Sequence, residues 1–180
     1  VQTLYNPVRS ENNNNQLVVS EKKQHINFTF MGTIGKGRSI HLLLEAFNEL
    51  NHSNIILNIC GSGTEFEKFQ NLYQKNIKII WHGWLDGKQL DAIANKTDFF
   101  IFGLENRDRQ ALILPSKIQT YCMYSKPIIY ISDGAAKSLI ENFQIGLVSK
   151  SNKIEDIKNV IIKAINMDKN KKVNMSIKAN

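Results

Sequence analysis

The sequence predicts an α/β domain built on a doubly wound, mostly parallel six-stranded sheet with helices on both faces. Three observations carry that reading. Six runs rich in β-forming residues alternate with six runs of helical periodicity. Several strand runs are apolar without polar alternation, as expected for strands covered by helices on both sides. The first two strand runs end at glycines in loops that join them to helical segments, the pattern of parallel strands joined by crossover helices.

The elements follow in order. Residues 1–24 are mostly polar, with a low-complexity Asn12–Asn15 run. Ile26–Met31 is rich in β-formers and stops at Gly32, so it is the first strand. Ser39 is the expected N-cap of a helix whose Leu42, Leu43, Ala46, Phe47 and Leu50 recur at helical steps. Ile55–Cys60 is a second strand, closed by Gly61-Ser62-Gly63. Thr64–Gln74 follows as a helix, with Thr64 and Glu67 in capping-box register. Ile77–Trp81 is read as strand, Asp86–Asn95 as helix and Phe99–Phe102 as strand. A loop, 103–114, precedes a helix opened by Pro115-Ser116, since proline suits a first helical turn. Lys126–Ile131 is a strand, Ala135–Asn142 a helix and Gly146–Val148 a short last strand. Lys153–Met167 closes with Ile154, Ile157, Ile161 and Ile165 on one face. The expected organisation is a polar segment over 1–24, the α/β domain over 25–167 and a basic tail over 168–180.

At 180 residues and 20.6 kDa, the chain fits one domain. With 42% hydrophobic and 22% charged residues it is neither disordered nor fibrous. No apolar run approaches the roughly 20 residues needed to span a bilayer, and no basic patch followed by an apolar stretch opens the chain, so no signal peptide is expected. It starts at Val1 rather than Met and is expected to be a piece of a longer polypeptide. Cys60 and Cys122 lack zinc-ligand spacing and read as buried thiols of a reducing compartment. The net charge is +7, and residues 153–180 hold seven lysines against three acids. No aromatic residue stands in 168–180, so this excess reads as a solvated or membrane-grazing helix end rather than a nucleic-acid face.

In doubly wound sheets ligands bind beyond the carboxyl ends of the strands. The loop Gly32-Thr33-Ile34-Gly35-Lys36-Gly37-Arg38-Ser39 places glycines and two cations there, which suits a diphosphate; a glycine-turned loop with solvated cations is an equal alternative. Its spacing fits neither a Walker A loop nor GxGxxG. Gly61-Ser62-Gly63-Thr64 is better read as a tight turn and helix cap than as a dinucleotide fingerprint, because Phe66 stands at the third glycine position. His82, between Trp81 and Trp84, has no local carboxylate to orient it and reads as structural. Leu114–Tyr121 puts Lys117 one turn into a helix after the fourth strand, making a second cationic site that faces the first.

Taken in order, these loops resemble the C-terminal, donor-binding domain of a GT-B glycosyltransferase of the retaining family four. The resemblance rests on Gly32 leading to Lys36-Gly37-Arg38, and on the apolar strand ending in Gly61-Ser62-Gly63. It continues through Trp81-His82-Gly83-Trp84-Leu85, the run from Leu90 to Asp98, and the Pro115-Ser116-Lys117 helix that ends in Lys126-Pro127. Asp133-Gly134 and Gly146-Leu147-Val148 complete it, and Leu4–Val8 looks like the interdomain entry segment. It covers roughly residues 4–165.

The resemblance implies a Rossmann-like half of a two-domain enzyme that transfers a sugar from a nucleotide diphosphate sugar to an acceptor hydroxyl with retention, without a metal or other cofactor. Lys36, Arg38 and Lys117 would be the catalytic cations on the leaving diphosphate. Gly32, Gly35, Gly61, Gly63, His82, Gly83, Trp84, Pro115, Ser116 and Thr120 would surround the donor. The family usually carries two glutamates where this chain has Leu112 and Thr120; Thr120 would then bond the ribose, with Glu105 or Asp108 near the sugar. The implied partners are the donor, the missing N-terminal domain, a glycan or lipid-linked acceptor, and an anionic membrane surface; nucleic acid is not among them. The implied setting is bacterial polysaccharide biosynthesis, cytoplasmic, with peripheral membrane contact, and this fragment is expected to be inactive alone. A basic α/β binding module for nucleic acid or anionic membrane is the rival reading. A receiver-like or flavodoxin-like module is set aside, because Gly32-Thr33 stands where it needs clustered acids.

Overall fold

The computed structural model describes residues 25–35, 39–104 and 115–179. The six strands are β1 (Ile26–Met31), β2 (Ile55–Cys60), β3 (Ile79–Gly83), β4 (Phe99–Gly103), β5 (Ile128–Ile131) and β6 (Gly146–Val148). They pair in parallel in the order β3-β2-β1-β4-β5-β6. The chain runs outward from β1 to β3, returns to β4, and runs outward again to β6. The switch point therefore lies between β1 and β4.

The helices are α1 (Ile40–Glu49), α2 (Phe66–Tyr73), α3 (Gly87–Lys96), α4 (Ser116–Cys122), α5 (Ala135–Phe143), α6 (Ile154–Ile165) and α7 (Lys169–Lys178). Neighbouring strand residues point to opposite faces. Phe28 meets Phe47 of α1 edge-on, while Thr29 shares a hydroxyl hydrogen bond of 2.6 Å with Thr97, just past α3. So α1 and α3 cover opposite faces, as the unbroken apolar strands require. The core is aromatic at the switch point: Phe28 stacks on Phe99, and Phe100 stacks on Tyr121 at 4.3 Å between ring centres. Each such ring removed from water contributes about 1.5–3 kcal/mol.

Local signals account for some helix ends. Asp86 and Gln89 form a full capping box on α3. Glu155 and Asp156 open α6 and Lys163 closes it, matching the helix dipole. Three expectations shift. Thr64 does not cap α2; Glu65 holds the N-cap position, without a side-chain bond. Ser39 holds the N-cap position of α1, but in a left-handed conformation (φ 49°), and its buried hydroxyl makes no capping bond. Ile77 is 93% exposed and precedes β3, because Asn76 folds a turn in which its side chain accepts from the Lys78 amide.

The basic segment beyond residue 167 forms a seventh helix. Asp168 accepts from the amides of Asn170 and Lys171, and Met175 and Ala179 are buried. Lys172 pairs with the buried Asp98 at the start of β4 and lies over the Phe99 ring. Tertiary contact thus holds a segment whose own sequence shows little helical periodicity.

Candidate functional site

Because every strand is parallel, all six carboxyl ends share one edge. There the loops after β1, β2 and β3 touch backbone to backbone. The Gly32 amide donates to the Cys60 carbonyl at 2.9 Å, the Ile34 amide to Ser62 at 2.9 Å, and the Gly61 amide to Gly83 at 2.7 Å. Gly61 has φ +139°, and a Cβ there would stand 1.9 Å from the Gly32 carbonyl oxygen. Glycine is thus required at Gly61 by the closeness of another backbone as well as by conformation. Gly63 sits in the same way against the Ile34 carbonyl.

Above this seam opens a cleft of about 270 Å³. Of the expected donor residues, Gly32, Gly61 and Trp84 line it. The cleft also takes in Ser62 and Leu85, within the Gly61–Gly63 turn and the Trp81–Leu85 edge that the resemblance implies for the base, and Thr33, Cys60 and Leu90, which the sequence reading missed. All but Leu90 directly follow or end a strand, the one signal that marks them in advance. Trp84 is 75% exposed at the rim. Burial pushes the Cys60 thiol up to about 12, so it stays protonated and unreactive in the cleft wall.

Lys117 reaches the same edge from α4. Its ammonium lies 5.7 Å from the centre of the Phe30 ring, and a Cβ on Gly32 would stand 2.0 Å from it. The absence of a side chain at Gly32 is what lets Lys117 cross the end of β1. Pro115 takes the N-cap position of α4 and Ser116 is exposed. The Thr120 hydroxyl turns back to the Ser116 carbonyl at 3.4 Å. Gly35 is buried, facing the Thr64 hydroxyl. Lys36, Arg38, Glu105, Asp108 and Leu112 lie outside the described residues.

His82 stands apart from the cleft lining. Its Nε2 meets Asn58 Oδ1 at 2.8 Å, and burial lowers its pKa, so the ring is held neutral as part of the sheet. Gly83, next to it, serves the seam through its carbonyl.

The arrangement offers a narrow polar floor of loop backbone, an apolar wall with an exposed indole, and an ammonium beside Gly32. Such a cleft suits a flat ring joined to an anionic group.

Residues 11–180 match the model of the family described as Glycosyl transferases group 1. The chain is 26% identical over 161 residues to an uncharacterized glycosyltransferase of Methanocaldococcus jannaschii, covering 86% of this chain and 40% of that one. Among solved structures, Anabaena HepE in complex with UDP and glucose superposes with a TM-score of 0.71 at 14% identity, over 87% of this chain and 42% of that one. The C-terminal domain of the Francisella tularensis protein LpcC, a glycosyl transferase group 1 family member, gives a TM-score of 0.68 at 14% identity, over 86% of this chain and 82% of that one. The chain thus spans about two fifths of the length of the curated relative and of HepE.

Proposed function

We propose that this chain, which belongs to the glycosyl transferases group 1 family, is the donor-binding domain of an enzyme that moves a sugar from a nucleotide diphosphate sugar to an acceptor hydroxyl. The observation that carries the reading is the cleft beyond the carboxyl ends of β1, β2 and β3, with Lys117 laid across Gly32, one of its lining residues. The nucleobase would lie between the Gly61–Ser62 turn and the Trp84–Leu85 wall. The diphosphate would lie toward Gly32, Lys117 and the loop that carries Lys36 and Arg38. The complexes of HepE with UDP and with UDP-glucose support a donor of that class.

The chemical task is to stabilise charge that grows on the leaving diphosphate. Fixed cations and backbone amides do this best where they are already in place and shielded from water, and a single lost donor of this kind costs about 3–4 kcal/mol in the transition state. Lys117 meets that need with a stem pinned along the strand end. We assign transfer with retention and without a metal, an acceptor that is a glycan or a lipid-linked glycan, and an acceptor domain elsewhere in the polypeptide. No helix among the described residues is long and apolar enough to cross a membrane; a cytoplasmic setting with peripheral membrane contact, in bacterial polysaccharide assembly, belongs to the same reading.

Thermal shift with UDP, GDP and ADP tests the binding claim. At least one should raise the midpoint at millimolar concentration, and Lys117→Ala should remove most of the rise. No shift with any of the three overturns it. In the complete enzyme, EDTA should leave the transfer rate unchanged, and the anomeric proton of the product should show the donor's configuration.

A further inference from the structure

The donor-site reading makes no use of the buried Tyr121 hydroxyl. β1 pairs with β2 along its whole length, and β4 pairs with β5 along most of its own. Between β1 and β4, however, the register holds only at Phe28↔Phe99 and Thr29↔Phe100. The two strands part beyond that point, at the switch point itself. In a parallel sheet alternate residues turn both backbone groups to the same neighbour. Gly32 donates to β2, so Met31 turns its amide and carbonyl toward the gap.

Tyr121, fully buried, fills the gap from α4. Its ring stacks on Phe100 and meets Phe102 edge-on. Its hydroxyl accepts from the Met31 amide at 3.2 Å and donates to the Met31 carbonyl at 3.1 Å. A neutral phenol can do both at once, which a carboxylate or an ammonium cannot. The hydroxyl replaces the missing strand neighbour. Lys117 lies one turn before Tyr121 on the same face of α4 and reaches the next residue of the strand, Gly32.

We infer that Tyr121 is a positioning residue of the donor site: its hydroxyl ties α4 to the last residue of β1 and so fixes Lys117 against the Gly32 loop. The inference rests on the donor-site reading for its ligand, but the tie itself can be tested without one. Removing the hydroxyl leaves two buried backbone groups without their partner and frees α4 to move relative to the loop. The ring and its stacking survive in Tyr121→Phe.

Two measurements on the full-length protein decide the matter. Hydrogen exchange at the Met31 amide should be slow in the wild type, slower than at exposed Thr33, and should speed up about tenfold or more in Tyr121→Phe, while β2 and β5 amides keep their rates. Titration with UDP, GDP and ADP should show the best ligand binding about five- to tenfold more weakly to Tyr121→Phe, as α4 loses both bonds that hold it to Met31. Lys117→Ala and the double variant should then bind equally, because both act through one ammonium. Unchanged Met31 exchange in Tyr121→Phe, or a Met31 amide as fast as Thr33 in the wild type, overturns the tie. Equal nucleotide affinity in Tyr121→Phe and wild type overturns the positioning role, with the donor site left standing. If the wild type binds none of the three nucleotides, the donor reading falls and the positioning role falls with it, while the exchange result still decides the tie. If Tyr121→Phe does not fold, the wild-type exchange rates decide: a Met31 amide slowed further by the bound nucleotide supports the inference, and one indifferent to it counts against it.

Discussion

At Gly61 and Gly32 the same substitution meets different obstacles. A Cβ on Gly61 meets the Gly32 carbonyl, which is backbone and cannot step aside. Gly61→Ala should cost ~2–4 kcal/mol of stability, read as a fall in the urea midpoint. A Cβ on Gly32 meets the flexible tip of Lys117 instead. Gly32→Ala should cost little beyond the strain of φ +146°, about 1–2 kcal/mol, yet weaken nucleotide binding as much as Lys117→Ala does. If the two glycine variants lost stability equally, the seam between the loops would not be as close as described. His82 carries a pH prediction. Burial lowers its pKa in the folded state, so as pH falls through the ordinary imidazole value the unfolded chain takes up a proton that the folded chain resists. Stability should therefore fall between pH 7 and pH 5, and His82→Gln should flatten that slope in thermal melts.

Among elements, α7 changes the most from its sequence reading. Lys172 pairs with Asp98, whose other oxygen accepts from the Asn27 amide at 2.9 Å. Lys172→Met strips a buried carboxylate of its cation and should cost ~1–3 kcal/mol, with part regained when Asp98→Asn is added. Both are readable by urea unfolding, and additivity of the two would mean they do not interact. The packing of Met175 and Ala179 also means that deleting residues 168–180 would harm the fold and could not separate nucleotide binding from binding to anionic surfaces. The exposed Lys169, Lys171 and Lys178 give a cleaner test. Replacing all three with Glu should leave nucleotide affinity intact; a basic binding module would lose its affinity for heparin or anionic vesicles.

For the whole molecule, a ligand that binds only the folded state stabilises it in proportion to occupancy. At a hundred times its Kd, the nucleotide should add about 2.7 kcal/mol, which for a domain of this size raises the melting midpoint by roughly 5–10 °C. The cleft is lined by the loops after β1, β2 and β3, so a nucleotide held there would bridge three loops that the unfolded chain keeps apart.

The sequence by itself determined the alternation of six strands with helices, the parallel sheet, and the edge at which to look. These follow from periodicity and glycine placement, which act within a dozen residues. Gly32, Gly61 and Trp84 were legible for the same reason, since each directly follows a strand. That Lys117 faces the Gly32 loop is expected from the strand and helix order. Only the tertiary structure decided that it lies across Gly32 itself, that Tyr121 stands in for a strand and that Lys172 neutralises Asp98. The last two of these join residues 90 and 74 positions apart. No local pattern encodes such pairs, because a phenol or an ammonium gains its role only when burial removes water and leaves one partner within reach.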